Sequence, residues 1–372
     1  MPASGCHPPL PLSLDTPHLF ERLDISYRPH NNQAVWLVCF CPLRFLMPMT
    51  PVTYLDFELS IAPARDGGVT VDLLHSPAGE AHAEVVLPAA PASLAGDPLA
   101  APIELAQRFG EALFDALIGG EIRNRYDVSR QIAAAQGQGL RIKLRVDSPA
   151  LPALPWELLY DARLGDFVCL AQTTPLVRYV ALPQPLQPLQ VELPLRILGM
   201  VAAPDGLPPL DTAREQARLD AALAPLRAAG QAEWSWLAGQ SWRALQQALQ
   251  QGPWHIFHFV GHAGFDAARN EGMLLLAGEQ NEAAPLYAGE LARLLGDHRS
   301  LRLAVLNACD GARVGESSIF SGVALRLTQR GLPAVLAMQY PITDRAAIEF
   351  GQSFYGALAA ALPVDAATGE AR

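Results

Sequence analysis

The second half of the chain alternates strand-like and helix-like segments, and this alternation constrains the fold more than any other feature. Five short apolar runs are separated by stretches of helical periodicity: RILGMVAAP, AEWSWL, HIFHFVG, LRLAVLNA and PAVLAMQY. The helices are predicted at 211–229, 241–251, 285–296, 318–330 and 344–362. Unbroken apolar strands with helices between them are typical of a parallel sheet covered on both faces. Residues 195–372 are therefore predicted to be an α/β half.

The segment 51–182 has a different pattern and is predicted to be an α+β half. TYLDFELSIA and VTVDLLH alternate apolar and polar residues around Asp-Gly-Gly, which indicates a hairpin, and AEVVLP and LRIKLRV add strands. Helices are predicted at 102–117 and 121–135. Trp156 follows Pro155 in a predicted short helical turn and is interpreted as a core or interface anchor. Residues 1–50 are predicted to be a poorly ordered leader, and the Pro/Gln-rich residues 183–194 a linker.

Charge and lysine usage exclude several functions. The 372 residues carry 27 basic and 37 acidic side chains, a net charge of −10, so neither a nucleic-acid nor a membrane partner is expected. Lys143 is the only lysine and lies in a strand-like run without a Gly-rich loop before it. Phosphate-loop ATP hydrolysis and pyridoxal chemistry each need a placed lysine, so both are excluded.

Cysteine usage predicts a reducing compartment. The five cysteines have no C-x-x-C spacing, which suggests neither a disulfide framework nor a zinc ribbon. The N-terminus has no cationic start, and no apolar run reaches the ~18 residues of a spanning helix. We therefore expect the protein in the cytoplasm.

Chemistry-bearing residues follow two of the predicted strands, where a parallel sheet collects its functional groups. One strand ends at Gly261-His262-Ala263-Gly264, and the next ends at Asn307-Ala308-Cys309-Asp310-Gly311. A cysteine becomes a useful nucleophile when an imidazole helps it to ionise. His262 and Cys309 are therefore candidates for a catalytic pair, although a lone cysteine at a strand end is also typical of a small buried hydrophobe.

A metal site is the alternative for the histidines. His255, His258 and His262 would need to share a face, but strand alternation separates His255 from His258. His255 and His258 are thus interpreted as structural, and no metal is expected. A nucleotide-binding domain is a further alternative, but 202–206 after the first strand lacks the G-x-G-x-x-G pattern.

At these residues the sequence resembles the CHAT domain family of caspase-like cysteine peptidases, often joined to tetratricopeptide repeats. Cys309, within LNACDGA, lies 47 residues after His262, a spacing similar to that of caspases. The resemblance runs from about residue 53 to the end. The motifs that carry it are HIFHFVGHAGFD, LNACDGA, LPWELLYD, GLPAVLAMQYPITD and FGQSFYGALA.

The resemblance implies a caspase-hemoglobinase-like three-layer sandwich and a cysteine endopeptidase that needs no cofactor. His262 would be the general base and acid, Cys309 the nucleophile, and the backbone N–H groups of Ala263 and Cys309 the oxyanion donors. The substrate would be a protein or peptide, with a regulatory domain or activator protein in a bacterial signalling or defence system. Family members usually have glycine where this chain has Ala263, and an alanine would be strained if φ were positive there. The alternative is an inactive interaction or scaffold module.

Two further expectations concern specificity and chain length. Asp205 and Asp310 follow strands beside the pair, and a carboxylate in the substrate pocket would favour Arg or Lys before the cleaved bond. Their alternative role is to bind turn backbone next to glycine. The chain ends at ALPVDAATGEAR, where the resemblance implies a further helix and more chain, so we expect a fragment or an early stop.

Overall fold

The computed structural model describes residues 53–65, 67–91, 93–94, 101–146, 151, 154–179, 191–308, 319–337 and 344–372. Residues 49–372 form one compact unit. The predicted leader at 1–50 and most of the predicted linker at 183–194 lie outside the described residues.

The first half of this unit is built on a five-stranded mixed sheet. Its strands and the small β5/β6 ribbon are β1 (Tyr54–Pro63), β2 (Val69–His75), β3 (Ala81–Val85), β4 (Gly139–Val146), β5 (Tyr160–Asp161), β6 (Asp166–Phe167) and β7 (Leu176–Tyr179). The order is β3-β2-β1-β4-β7, with β1 antiparallel to β2 and parallel to β4. The predicted hairpin is confirmed.

Two helices cover this sheet and close its core. Helices α1 (Ile103–Leu117) and α2 (Gly120–Ala135) confirm the two predicted helices to within a residue at each end. The ring of Tyr126 is fully buried and makes edge contacts with Phe57 and Phe114. Trp156 begins a single 3₁₀ turn and is fully buried, and its indole N–H donates to the Leu151 carbonyl at 3.1 Å. Its predicted role as a core anchor is confirmed.

A five-stranded parallel sheet forms the second half, as predicted. The strands are β8 (Leu195–Val201), β9 (Ala232–Trp236), β10 (Ile256–Asp266), β13 (Leu303–Ala308) and β14 (Ala334–Ala337). Their order is β9-β8-β10-β13-β14, and every pair is parallel. The central strand is therefore β10, which carries the candidate histidine.

Helices pack on both faces of this parallel sheet, giving three layers. They are α3 (Thr212–Ala228), α4 (Trp242–Gln250), α5 (Ala288–Gly296), α6 (Ile319–Gln329), α7 (Asp344–Ala359) and α8 (Val364–Ala371). One apolar core joins the sheet to α4, α5 and α6, and the other joins it to α3, α7 and α8. None of the helices in the described part of the chain has the length and hydrophobicity needed to cross a bilayer.

The prediction for 285–296 was wrong at its start. A β-hairpin, β11 (Glu271–Ala277) and β12 (Ala283–Tyr287), precedes α5, which begins only at Ala288. Pro285 lies in β12, and β12 pairs only with β11 among the described strands. Proline is tolerated on such an edge strand because its missing N–H breaks no second ladder.

Candidate active site

Strand β10 changes its neighbours at the point where the candidate histidine lies. Residues Ile256–Val260 pair with β8 on one side, and Ile256–Gly261 pair with β13 on the other. From His262 onward, β10 instead pairs with the antiparallel strand β11, with His262 opposite Leu275. His262 is thus the first residue beyond the parallel part of the sheet, at the carboxyl end where α/β folds bind their ligands.

The His262 side chain is buried and has no hydrogen-bond partner in the described part of the chain. Only 4% of the residue is exposed, and neither Nδ1 nor Nε2 has a hydrogen-bond partner among the described residues. Most buried polar groups are paired, and leaving one unpaired costs free energy. The imidazole therefore has both nitrogens available for a group that is not among its described neighbours.

Cys309 and Asp310 lie outside the described residues, as does the rest of 309–318. The register of the parallel pair is nevertheless described up to the preceding position, where Gly261 of β10 lies opposite Ala308 of β13. In the sequence, His262 follows the first of these residues and Cys309 follows the second. The pairing of His262 with Cys309 stays a prediction.

Ala263 occupies its position without backbone strain. It lies inside β10 opposite Leu274, and its φ is not in the positive range. Its methyl group is buried in the apolar core shared with Phe257 and Phe259. The strain that a positive φ would impose on alanine is therefore absent here, and the role of the Ala263 N–H as an oxyanion donor stays a prediction.

The other two histidines of this segment, His258 in β10 and His255 directly before it, are part of the framework. His258 is buried, its Nδ1 shares a 2.5 Å hydrogen bond with the Tyr355 hydroxyl, and burial lowers its pKa to about 3. His255 Nδ1 accepts a hydrogen bond from the Arg196 backbone N–H at 3.1 Å. Within the described residues, no cluster of three His, Cys, Asp or Glu side chains is arranged to hold a metal ion.

Asp205 lies at the surface beside the β11–β12 turn. It is exposed, and its backbone N–H donates to the Asn281 carbonyl at 2.8 Å. The next residue, Gly206, has a φ of 83°, which fits the Asp-Gly turn considered in the sequence analysis. None of the contacts described for Asp205 joins it to His262, and its role in a substrate pocket stays a prediction.

Sequence reasoning did not single out Asn307 and the Glu215–Arg218 ion pair. They line a narrow cavity of about 20 Å³ with His258, between the sheet and helices α3 and α7. The volume is enough for about one water molecule. Position within the motif LNACDGA was the available signal for Asn307, whereas Glu215 looks in sequence like any acidic residue in the first turn of a helix.

Strand alternation places His258 and His262 on the same face of β10, four residues apart, toward the core that contains α3 and α7. The arrangement places an imidazole that has no partner among the described residues at the carboxyl end of a parallel sheet. No curated protein matches the chain significantly. The family model of the CHAT domain matches residues 107–372, more than two thirds of the chain. The protein therefore belongs to the CHAT domain family, a family related to caspase-like peptidases, and its three-layer α/β half is the caspase-like sandwich of that family.

Proposed function

We propose that the protein is a cysteine endopeptidase in which His262 activates Cys309. The observation that carries this proposal is the buried His262 ring, whose two nitrogens have no described partner at the end of the parallel sheet. Neighbouring strands lie about 4.8 Å apart. Because Gly261 lies opposite Ala308, the two following residues are candidates to meet at this edge.

The proposed reaction needs only these two side chains and a water molecule. His262 takes the proton of the Cys309 thiol, and the thiolate attacks the carbonyl carbon of a peptide bond. The imidazolium then returns the proton to the leaving amine as the C–N bond breaks and a thioester remains. Water, deprotonated by His262, hydrolyses the thioester to a carboxylic acid and regenerates the thiol. The backbone N–H groups of Ala263 and Cys309 are the proposed donors to the oxyanion.

An inactive interaction module is the second candidate function. The substitution of the usual family glycine by Ala263 is the feature that favours it. This argument for an inactive module is weakened by the extended backbone at Ala263, since the alanine is accommodated inside β10. The His262 imidazole, which has no partner among the described residues, favours the enzyme, because burying a polar group without hydrogen bonds costs free energy and a scaffold does not need such a group.

The proposed preference for Arg or Lys substrates rests on Asp205. Its exposure means that a charge pair there is screened by water and discriminates less than a buried pair would. We therefore propose only a modest basic preference from Asp205. A library that favours leucine or methionine, or one unchanged by Asp205→Asn, would remove this part of the proposal.

Cleavage of a positional peptide library tests the proposed activity. We expect cleavage by the full chain, and loss of at least a thousandfold in kcat/KM in Cys309→Ala and in His262→Ala. The double variant should be no worse than either single variant, because the two residues act as a unit. Cys169→Ala is the matched control, since Cys169 is buried and its Sγ donates to the Glu157 carbonyl at 3.1 Å. Cleavage that survives in Cys309→Ala would refute the assignment.

A further inference from the structure

Three arginines line a cleft between helices α5 and α6. The cleft has a volume of about 250 Å³, and its arginines are Arg293 on α5 and Arg326 and Arg330 on and directly after α6. All three side chains are exposed. The two helices pack side by side, and α6 also lies close to β11. We call this feature the arginine cleft.

The positive charge of the arginine cleft is not neutralised within the described part of the chain. None of its three guanidinium groups forms an ion pair there, and Arg326 has only a 3.5 Å hydrogen bond to the Gln329 side-chain oxygen. One carboxylate, Glu271, lines the cleft. Its Oε1 accepts a hydrogen bond from the Gly289 N–H at 2.7 Å, so it serves the start of α5. Three positive charges therefore face one negative charge.

This arrangement is unfavourable for the protein on its own. Arg326 and Arg330 are four residues apart, a spacing at which like charges on a helical surface destabilise each other. The whole chain has ten more acidic than basic side chains, yet among the described residues no carboxylate forms an ion pair with Arg326 or Arg330. All basic side chains of the chain except Lys143 are arginines, so the presence of arginine rather than lysine in the cleft says little about function. The inference rests on where the three arginines lie.

The chemistry of the lining suits a phosphate group. A guanidinium group presents paired N–H donors that match the oxygens of a phosphate in a bidentate arrangement. The volume is below the roughly 300 to 1,000 Å³ of pockets for drug-sized ligands, which favours one compact anionic group. The remaining lining residues, Gly289, Ala292 and Gln329, provide no large apolar side chain of the kind that anchors a peptide. We propose that the arginine cleft binds a phosphate group, either inorganic phosphate or the phosphate of a small metabolite.

This proposal is independent of the proposed peptidase activity, and its test measures binding alone. The melting temperature of the full chain is measured against inorganic phosphate and against adenosine monophosphate, with sodium chloride matching the ionic strength. We expect the melting temperature to rise with the concentration of each phosphate compound once that concentration exceeds the Kd. Sodium chloride should not raise it. Tighter binding of adenosine monophosphate would assign a metabolite, and equal binding would assign the free anion.

Two double variants separate the site from the net charge. Arg326→Gln/Arg330→Gln should weaken phosphate binding at least tenfold, measured by ³¹P line broadening, without lowering the melting temperature in phosphate-free buffer. Arg108→Gln/Arg227→Gln removes two exposed arginines elsewhere and should bind phosphate like the unmodified chain. If the first double variant fails to fold, Arg293→Gln provides the same comparison. The proposal fails if phosphate does not raise the melting temperature or if the two double variants bind phosphate equally.

Discussion

Burial holds His258 in its neutral form. The residue is 5% exposed, its pKa is lowered to about 3, and its ring also makes edge contact with Trp234. Alternation along the strand was enough to interpret His258 as structural, because it separates this residue from His255. The sequence did not reveal its partner, since Tyr355 lies 97 residues away on α7. Contacts of this kind depend on how the helices pack over the sheet.

The buried His258 should make the protein less stable in acid. The unfolded chain takes up a proton near pH 6.5, whereas the folded chain does not until about pH 3, so stability falls as the pH drops through this window. One such proton contributes a slope of about 1.4 kcal/mol per pH unit. We expect His258→Gln to reduce the slope of the unfolding free energy between pH 6 and 4 by about this amount, measured by urea denaturation. The exposed His75→Gln variant should keep the original slope, and an unchanged slope in His258→Gln would contradict the prediction.

Elements with a clear period were predictable from the sequence, and elements defined by distant partners were not. Helix α4, for example, begins as its Ser241 N-cap indicates, with the serine side chain accepting from the Ala244 N–H. The hairpin β11–β12 was missed because Pro285 resembles the start of a helix, and only its edge position makes a proline acceptable in the strand. Helix α8 was missed because its alanines have no apolar partner nearby in sequence. The apolar residues that these alanines contact lie in the core that α8 shares with the parallel sheet and α7.

Close packing of α1 against the segment after Pro155 gives a prediction at the level of the element. A Cβ atom at Gly110 would lie 1.9 Å from the Leu158 carbonyl oxygen and 3.0 Å from Tyr160 Cβ. Gly110→Ala should therefore lower the unfolding free energy by about 2 kcal/mol or more, because overpacking exceeds the gain in helix propensity of about 1 kcal/mol. Urea denaturation measures the change.

Gly356 in α7 provides the matched control for this substitution. A Cβ atom there meets no heavy atom within 4 Å, and the glycine is likewise inside a helix. Gly356→Ala should raise the unfolding free energy by about 0.5 to 1 kcal/mol through helix propensity alone. Equal effects of the two substitutions would show that α1 does not approach the Leu158 carbonyl as closely as described.

Helix α8 connects the two halves of the compact unit. The side chain of its Asp365, 9% exposed, forms an ion pair with Arg141 of β4, and Gly369 packs against the backbone around Cys169. This contact joins the end of the second half to the first sheet. The family match likewise spans both halves, because it begins within α1 and ends at the last residue.

Removing this connection should weaken the whole unit. Among the described residues, Asp365→Asn leaves the partly buried Arg141 with one carboxylate partner, Asp56, at 3.7 Å. We expect the unfolding free energy to fall by about 1.5 to 3 kcal/mol, the range for a hydrogen bond between charged groups. Asp115→Asn removes the carboxylate of a more exposed pair with Arg123 and should have a much smaller effect. Equal changes in the two variants would mean that α8 is not a structural connection.

Alkylation of Cys309 is the measurement that tests the proposed pair most directly. The full chain is treated with iodoacetamide at pH 7, and the rate at each cysteine is read by peptide mass spectrometry. Burial raises the pKa of the Cys169 thiol, so Cys169 should react slowly and serve as an internal reference. If His262 promotes ionisation of Cys309, Cys309 should react at least tenfold faster than Cys169, and His262→Ala should remove most of that difference while His258→Gln leaves it intact. A Cys309 rate that does not change in His262→Ala would contradict the catalytic pair.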